Sequence, residues 1–322
     1  MIEKLNAWGA GEGMQENRGV KKIIEKVEGK PLLEGLGQLS QSEWSSLQLA
    51  IDRLRAGRLT APDVLRRYEQ SRFAGPSPLS ALDFHRLETA LLSLAEKQGF
   101  ESVLLSPVSP FGSCSVFGCV DQNNVVGAGR GLEVLADPTN ALALELGTRI
   151  RGGAGSGELH LCTTARVVRG QKFSGKGMLP HFGIFCMVSR GRDSAGGYSC
   201  EKALLRRQIR YCQALYGPQM SLTLRRRAGY TDPDGFLEAM ETFLRNEMPE
   251  VPLRIEKQEE NAYYKGLNFK IYWTAHGETF EVGDGGFVDW MEQLVGNRKE
   301  RCLISGIGMD RMLLFDEMDT LL

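Results

Sequence analysis

The sequence predicts an α+β fold: a mixed, mostly antiparallel sheet flanked by helices, with a helical appendage at the N-terminus. Three observations carry that prediction. Leu267, Phe269, Ile271 and Trp273 alternate at period two, the spacing of a half-buried strand. Two apolar strand-like runs, 159–168 and 181–189, flank one polar loop and read as a hairpin. Amphipathic stretches of helical length lie between the strand patterns, at 81–98, 200–216 and 233–246.

Taken in order, residues 1–38 are mixed in charge and Gly-bearing, a loosely attached arm with one helix over 20–27. Ser40 followed by Glu43 reads as a capping box, and Trp44, Leu47, Ile51 and Leu54 continue one apolar helical face. Thr60 is an N-cap candidate for the next helix, with Pro62 and Asp63 in its first turn. The turn-rich stretch 73–80 marks a boundary, so residues 1–78 are read as arm and helical segment and 79–322 as the main domain.

The helix at 81–98 ends at Gly99, and a strand over 102–106 runs into Pro107 and Pro110. A strand over 132–136 leads to a helix over 138–151. The hairpin loop, 169–180, holds Arg169, Lys172, Lys176 and three glycines; a long structured loop of this kind is more often functional than not. Strands at 221–224 and 252–256 bracket the helix at 233–246. After the strand around Ile271, residues 280–282 return as its partner, and Asp284-Gly285-Gly286 reads as a Gly-rich turn before a helix at 288–295. A short strand over 302–304 follows. Gly306 and Gly308 open a last helix carrying Asp310 and Arg311, and a cation on a first helical turn opposes the macrodipole, so Arg311 points to an anion beyond the sheet.

The formal net charge of -1 supplies no global basic field for nucleic acid, and the runs Arg206-Arg207 and Arg225-Arg226-Arg227 read as solvated faces. A structured RNA partner such as tRNA is therefore disfavoured. Seven scattered cysteines, with one close pair at Cys114 and Cys119, match neither a disulfide framework nor zinc spacing. With no signal peptide and no apolar window of membrane-spanning length, a cytoplasmic protein without membrane contact is expected.

Helix-strand-Pro at 81–110, the hairpin with Arg169, and Gly306-Ile307-Gly308-Met309-Asp310-Arg311 resemble the three motifs of class II aminoacyl-tRNA synthetase catalytic domains. Residues 136–145, 168–185 and 263–286 further resemble the histidyl branch, including the synthetase-like regulatory subunit of ATP phosphoribosyltransferase. The resemblance covers roughly residues 80–322. It implies a bent ATP on an antiparallel sheet, with Arg169 at the α-phosphate and Arg311 at the adenine and γ-phosphate, tasks that suit a forked guanidinium. Fixed cations at a developing pentavalent phosphorus are such a site's main catalytic device. Gly306 and Gly308 form the nucleotide-side turn, His181 and Phe182 stand where an aromatic covers the adenine, and Asp310 could assist Mg2+. The resemblance also implies a homodimer through helix-strand-Pro.

The departures are specific. Gln171 replaces the motif 2 glutamate that touches the adenine amino group. Glu259 falls where the branch has a substrate-side arginine, and Thr139 where it has an acid. On the substrate side stand Tyr264, Asp284 and Gly285, with Asp284 and Asp289 either ligands of a substrate amine or turn formers. His181 is either an adenine neighbour or a hydrogen-bonded core histidine. No anticodon-binding domain is expected after the third motif. Two functions follow: ATP-dependent activation of an amino or other carboxylic acid as an acyl-adenylate without charging tRNA through such a domain, or a catalytically silent regulatory subunit partnered with a phosphoribosyltransferase. A ligand-free dimerising scaffold is the third reading.

Overall fold

The computed structural model describes residues 30–155, 157–171, 179–256, 263–275 and 277–314. The helix expected over 20–27, and Glu259, lie outside them. The chain divides into two compact units, residues 1–60 with 129–131, and 61–128 with 132–322.

In the first unit, α1 (Lys30–Gly37) precedes α2 (Gln41–Ala56). The capping box forms: the Glu43 amide donates to Ser40 Oγ at 3.3 Å and the Ser40 amide to Glu43 Oε2 at 2.8 Å. No residue of α2 is buried; Trp44, Ile51 and Leu54, the expected apolar face, are exposed.

The second unit opens with α3 (Ala61–Gln70) and α4 (Ala81–Lys97). Ser80 caps α4 by accepting from the Asp83 amide, and Phe84, Leu87, Leu91 and Ala95 form its buried stripe, spaced three or four residues apart. Each buried leucine stabilises by about 1.5–3 kcal/mol. Gly99 ends the helix at φ +80, a left-handed conformation that favours glycine. Here the expected strand over 102–106 shrinks to β1 (Glu101–Ser102), and β2 (Val108–Pro110) forms beyond Pro107, pairing antiparallel with β4 (Leu132–Val134); β3 (Gly127–Gly129) lies between them in sequence. Then come α5 (Pro138–Arg151), β5 (Leu159–Val168), β6 (His181–Arg192), α6 (Ser199–Tyr216), β7 (Met220–Arg226), α7 (Pro233–Glu247) and β8 (Leu253–Glu256). The chain ends with β9 (Lys265–Ala275), β10 (Glu278–Val288), α8 (Trp290–Val295), β11 (Glu300–Gly308) and α9 (Met309–Leu314).

Eight strands form one sheet in the order β1-β5-β6-β11-β10-β9-β7-β8. The outer pairs β1/β5 and β7/β8 are parallel and the six central strands antiparallel, as the predicted fold class requires. One face packs on α4, α6 and α7 through Leu91, Leu205, Ile209, Phe236 and Met240; the other packs on α5 and α8 through Leu142, Leu146, Trp290 and Met291. No helix among the described residues is long and apolar enough to cross a membrane.

Two glycine readings are corrected. Asp284, Gly285 and Gly286 are not a turn: β10 runs through them, paired with Ser305 and Ile304 on one side and Phe269 and Asn268 on the other. Side chains are missing there because neighbours fill the space. A Cβ on Gly285 would lie 2.4 Å from Phe269 Cζ, and one on Gly286 2.5 Å from Tyr264 Cδ1. Likewise Gly306 and Gly308 are the last residues of β11, and the helix begins at Met309.

Candidate functional site

A cavity of about 270 Å³ lies in the second unit, lined by residues from five separate stretches of chain, among them Asp137, Arg169, Gln171, Tyr263, Tyr264 and Asp284. Each is placed by local structure. Asp137 is the N-cap of α5: its Oδ1 accepts from the Thr139 amide at 3.0 Å and the Thr139 hydroxyl at 2.6 Å, while Pro138 takes the first helical position. Arg169 follows β5 directly. Its amide donates to Pro180 O at 2.9 Å and its Nε to Ala136 O at 2.9 Å, and its guanidinium lies 5.2 Å from the Phe182 ring centroid.

The consecutive tyrosines hold one carboxylate each. Tyr263 donates to Asp137 Oδ2 at 3.1 Å and Tyr264 to Asp284 Oδ2 at 3.0 Å. Burial, reinforced by these aspartates, holds both phenols well above the ordinary tyrosine range, so they remain donors. Burial also raises the Asp284 carboxyl, opposed by Lys270 and by the Tyr264 bond. Cys114 is a neutral wall: burial, then Asp137 and Glu133, push its thiol up to about 12. The cavity thus presents two carboxylates and one guanidinium, each held by uncharged groups. Its chemistry suits a small molecule carrying both an amine and an acid.

The other predicted residues are distributed around it. Gln171 lines the cavity, and the carbonyls of Gly170 and Gln171 accept from Arg72. His181 is half-buried and hydrogen-bonded on both nitrogens: its Nε2 donates to Gly75 O at 2.8 Å, and its Nδ1 accepts from Arg166 at 2.8 Å. Asp310 is 3% exposed, accepts the Gly183 amide at 2.6 Å and faces Arg166 at 3.6 Å. Its second oxygen, Oδ2, is buried without a hydrogen-bond partner. Thr139 is buried and serves Asp137. Gly306 pairs with both Asp284 and Cys186, and Gly308 with Ile184.

Arg169 and Arg311 leave the sheet at the same end, since Val168 pairs with His181 and Gly308 with Ile184. They line different spaces, however. Arg311 borders a cleft of only about 10 Å³ with Trp273, Phe280, Val282, Gly308 and Met312. Asp137 is the cavity residue that sequence reasoning missed: two positions before Thr139, a helix cap brings a carboxylate to the wall. The signal was present as Asp-Pro-Thr opening α5.

No protein-family model matches the sequence, and no curated protein matches it. Solved structures do match. Histidyl-tRNA synthetase from S. aureus superposes with a TM-score of 0.59 at 12% identity over 78% of this chain and 70% of its own. An ATP phosphoribosyltransferase regulatory subunit/histidyl-tRNA synthetase from Bacillus halodurans gives 0.56 at 11% over 76% and 82%. Histidyl-tRNA synthetase from Nostoc sp. gives 0.56 at 16% over 78% and 75%. The chain has the class II aminoacyl-tRNA synthetase-like catalytic fold.

Proposed function

We propose that the cavity binds a small amine-bearing carboxylic acid, amine on Asp137 and carboxylate toward Arg169, and that the chain activates it with ATP. The observation that carries this reading is the placement of Asp137 and Arg169 on the wall of one cavity, each held by neutral partners. In the step, a carboxylate oxygen attacks the α-phosphorus of ATP. The new acyl–oxygen–phosphorus link forms as the bond to pyrophosphate breaks, and pyrophosphate leaves with the electron pair. Arg169 stands where negative charge gathers between acid and phosphate, the position at which a fixed cation lowers a barrier. ATP–pyrophosphate exchange across a panel of amino acids is the test: label incorporation with one of them supports activation, and none with any rejects it.

A second reading keeps the same ligand and drops the chemistry. It is favoured by Gln171 standing where the resembled motif has a glutamate. Such a subunit would bind an amino acid without exchange and co-purify with a phosphoribosyltransferase.

Self-association belongs to either reading. Leu104, Phe111 and Val116 are 97%, 61% and 76% exposed on the stretch around β2, a concentration of apolar surface that a second copy would cover. Light scattering should return twice the chain mass; a stable monomer rejects the homodimer.

A further inference from the structure

Resting on the amino-acid site proposed above, we infer that the ligand is a diamino carboxylic acid whose second amine is met by Asp284. Charges must match within a small cavity. The lining contributes two carboxylates, Asp137 and Asp284, against one guanidinium, Arg169. A monoamino acid brings one cation and one anion, and it leaves one half-buried aspartate facing an uncharged neighbour. Such an unmatched charge is costly. A diamino acid brings two cations and one anion, and every charge is met.

Geometry fixes which carboxylate takes which amine. Arg169 is anchored on the carbonyl of Ala136, the residue before Asp137, so guanidinium and carboxylate adjoin along the chain. The carboxylate and α-amine of an amino acid share one carbon and fit that adjoining pair. Asp284 comes from β10 and is held by the second tyrosine, whose ring centroid lies 4.8 Å from that of the first. It is therefore the group left for a distal amine. Val120, Ala136 and the neutral Cys114 supply apolar wall for the methylenes between. Lys270 sits opposite Asp284 in the β9/β10 register, but its ammonium is held by Glu281 at 2.5 Å. Burial raises the Asp284 carboxyl, as expected of a carboxylate with no full cationic partner.

The test is titration calorimetry of the full chain with lysine, norleucine and cadaverine. Norleucine keeps the lysine skeleton without the second amine, and cadaverine keeps both amines without the acid. Lysine should bind at least ten-fold more tightly than either, and Asp284→Asn should bring the lysine-to-norleucine ratio close to one. Norleucine binding as tightly as lysine, or a ratio unchanged in Asp284→Asn, overturns this inference and leaves the amino-acid site standing. No binding by lysine, norleucine or any other amino acid overturns both. Where Asp284→Asn does not fold, the wild-type ratio alone decides.

Discussion

Two regions of the second unit bury charge in opposite ways. Where β6 meets the start of β11, Arg190 and Glu300 are both fully buried and pair at 3.3 Å, and Arg192 adds a second contact to Glu300 at 2.8 Å. There the fixed charges lie directly against one another, two guanidiniums on one carboxylate. In the cavity near the other ends of these strands, Asp137, Asp284 and Arg169 are instead held by phenols, a hydroxyl and a carbonyl. Neutral partners fix position without neutralising charge. The difference teaches how to tell charges paired among themselves from charges open to a ligand on one sheet: by the charge of the partners more than by burial.

Mutations can break that contrast, and the largest effect belongs to the closed cluster. Glu300→Ala strands Arg190 without its counter-charge and should lose about 3–5 kcal/mol in denaturant unfolding; a loss below 1 kcal/mol would show that the pair is solvated. Gly286→Ala comes next. Its methyl would meet Tyr264 Cδ1 at 2.5 Å and Leu267 O at 2.9 Å, an overpacking of about 1–3 kcal/mol that also displaces the phenol holding Asp284. Both unfolding and ligand affinity should register it.

The pH dependence is smaller. Asp284 is raised above its ordinary 3.8 by burial, so the folded state holds its proton more tightly than the unfolded chain does. Its contribution is fully present below that value and is lost as pH rises through the raised pKa. Unfolding measured across this range should show Asp284→Asn gaining on wild type as pH rises; a constant gap would remove the burial argument. Smallest of all is the stability effect of Asp137→Asn, because asparagine caps a helix as well as aspartate does. Its unfolding free energy should match wild type within about 0.5 kcal/mol. A large loss would recast Asp137 as a structural charge like Glu300.

Much of this fold is written locally. The periodic runs around Ile271, Leu161 and Leu91 become strands and helices because period and face agree with burial, and α5 spans the predicted 138–151. The Gly285-Gly286 misreading has a physical cause: glycine marks both a turn and a close approach, and only the partner strands reveal that Phe269 and Tyr264 occupy the missing side chains' space. The site was legible in part. Arg169, Gln171, Tyr264 and Asp284 converge, whereas Arg311 borders another cleft and Asp310 and His181 bond within the protein. Asp137 escaped notice because it reads as an ordinary helix cap, and its place in the cavity wall appears only with its approach to Tyr263, 126 positions away.

The most direct measurement of the central claim is calorimetric titration of an amino-acid panel into the full chain and into Asp137→Asn. Saturable binding of an amino acid, weakened ten-fold or more in the variant while its fold is intact, is the predicted result. Binding of no amino acid, or equal affinity in both proteins, would contradict it.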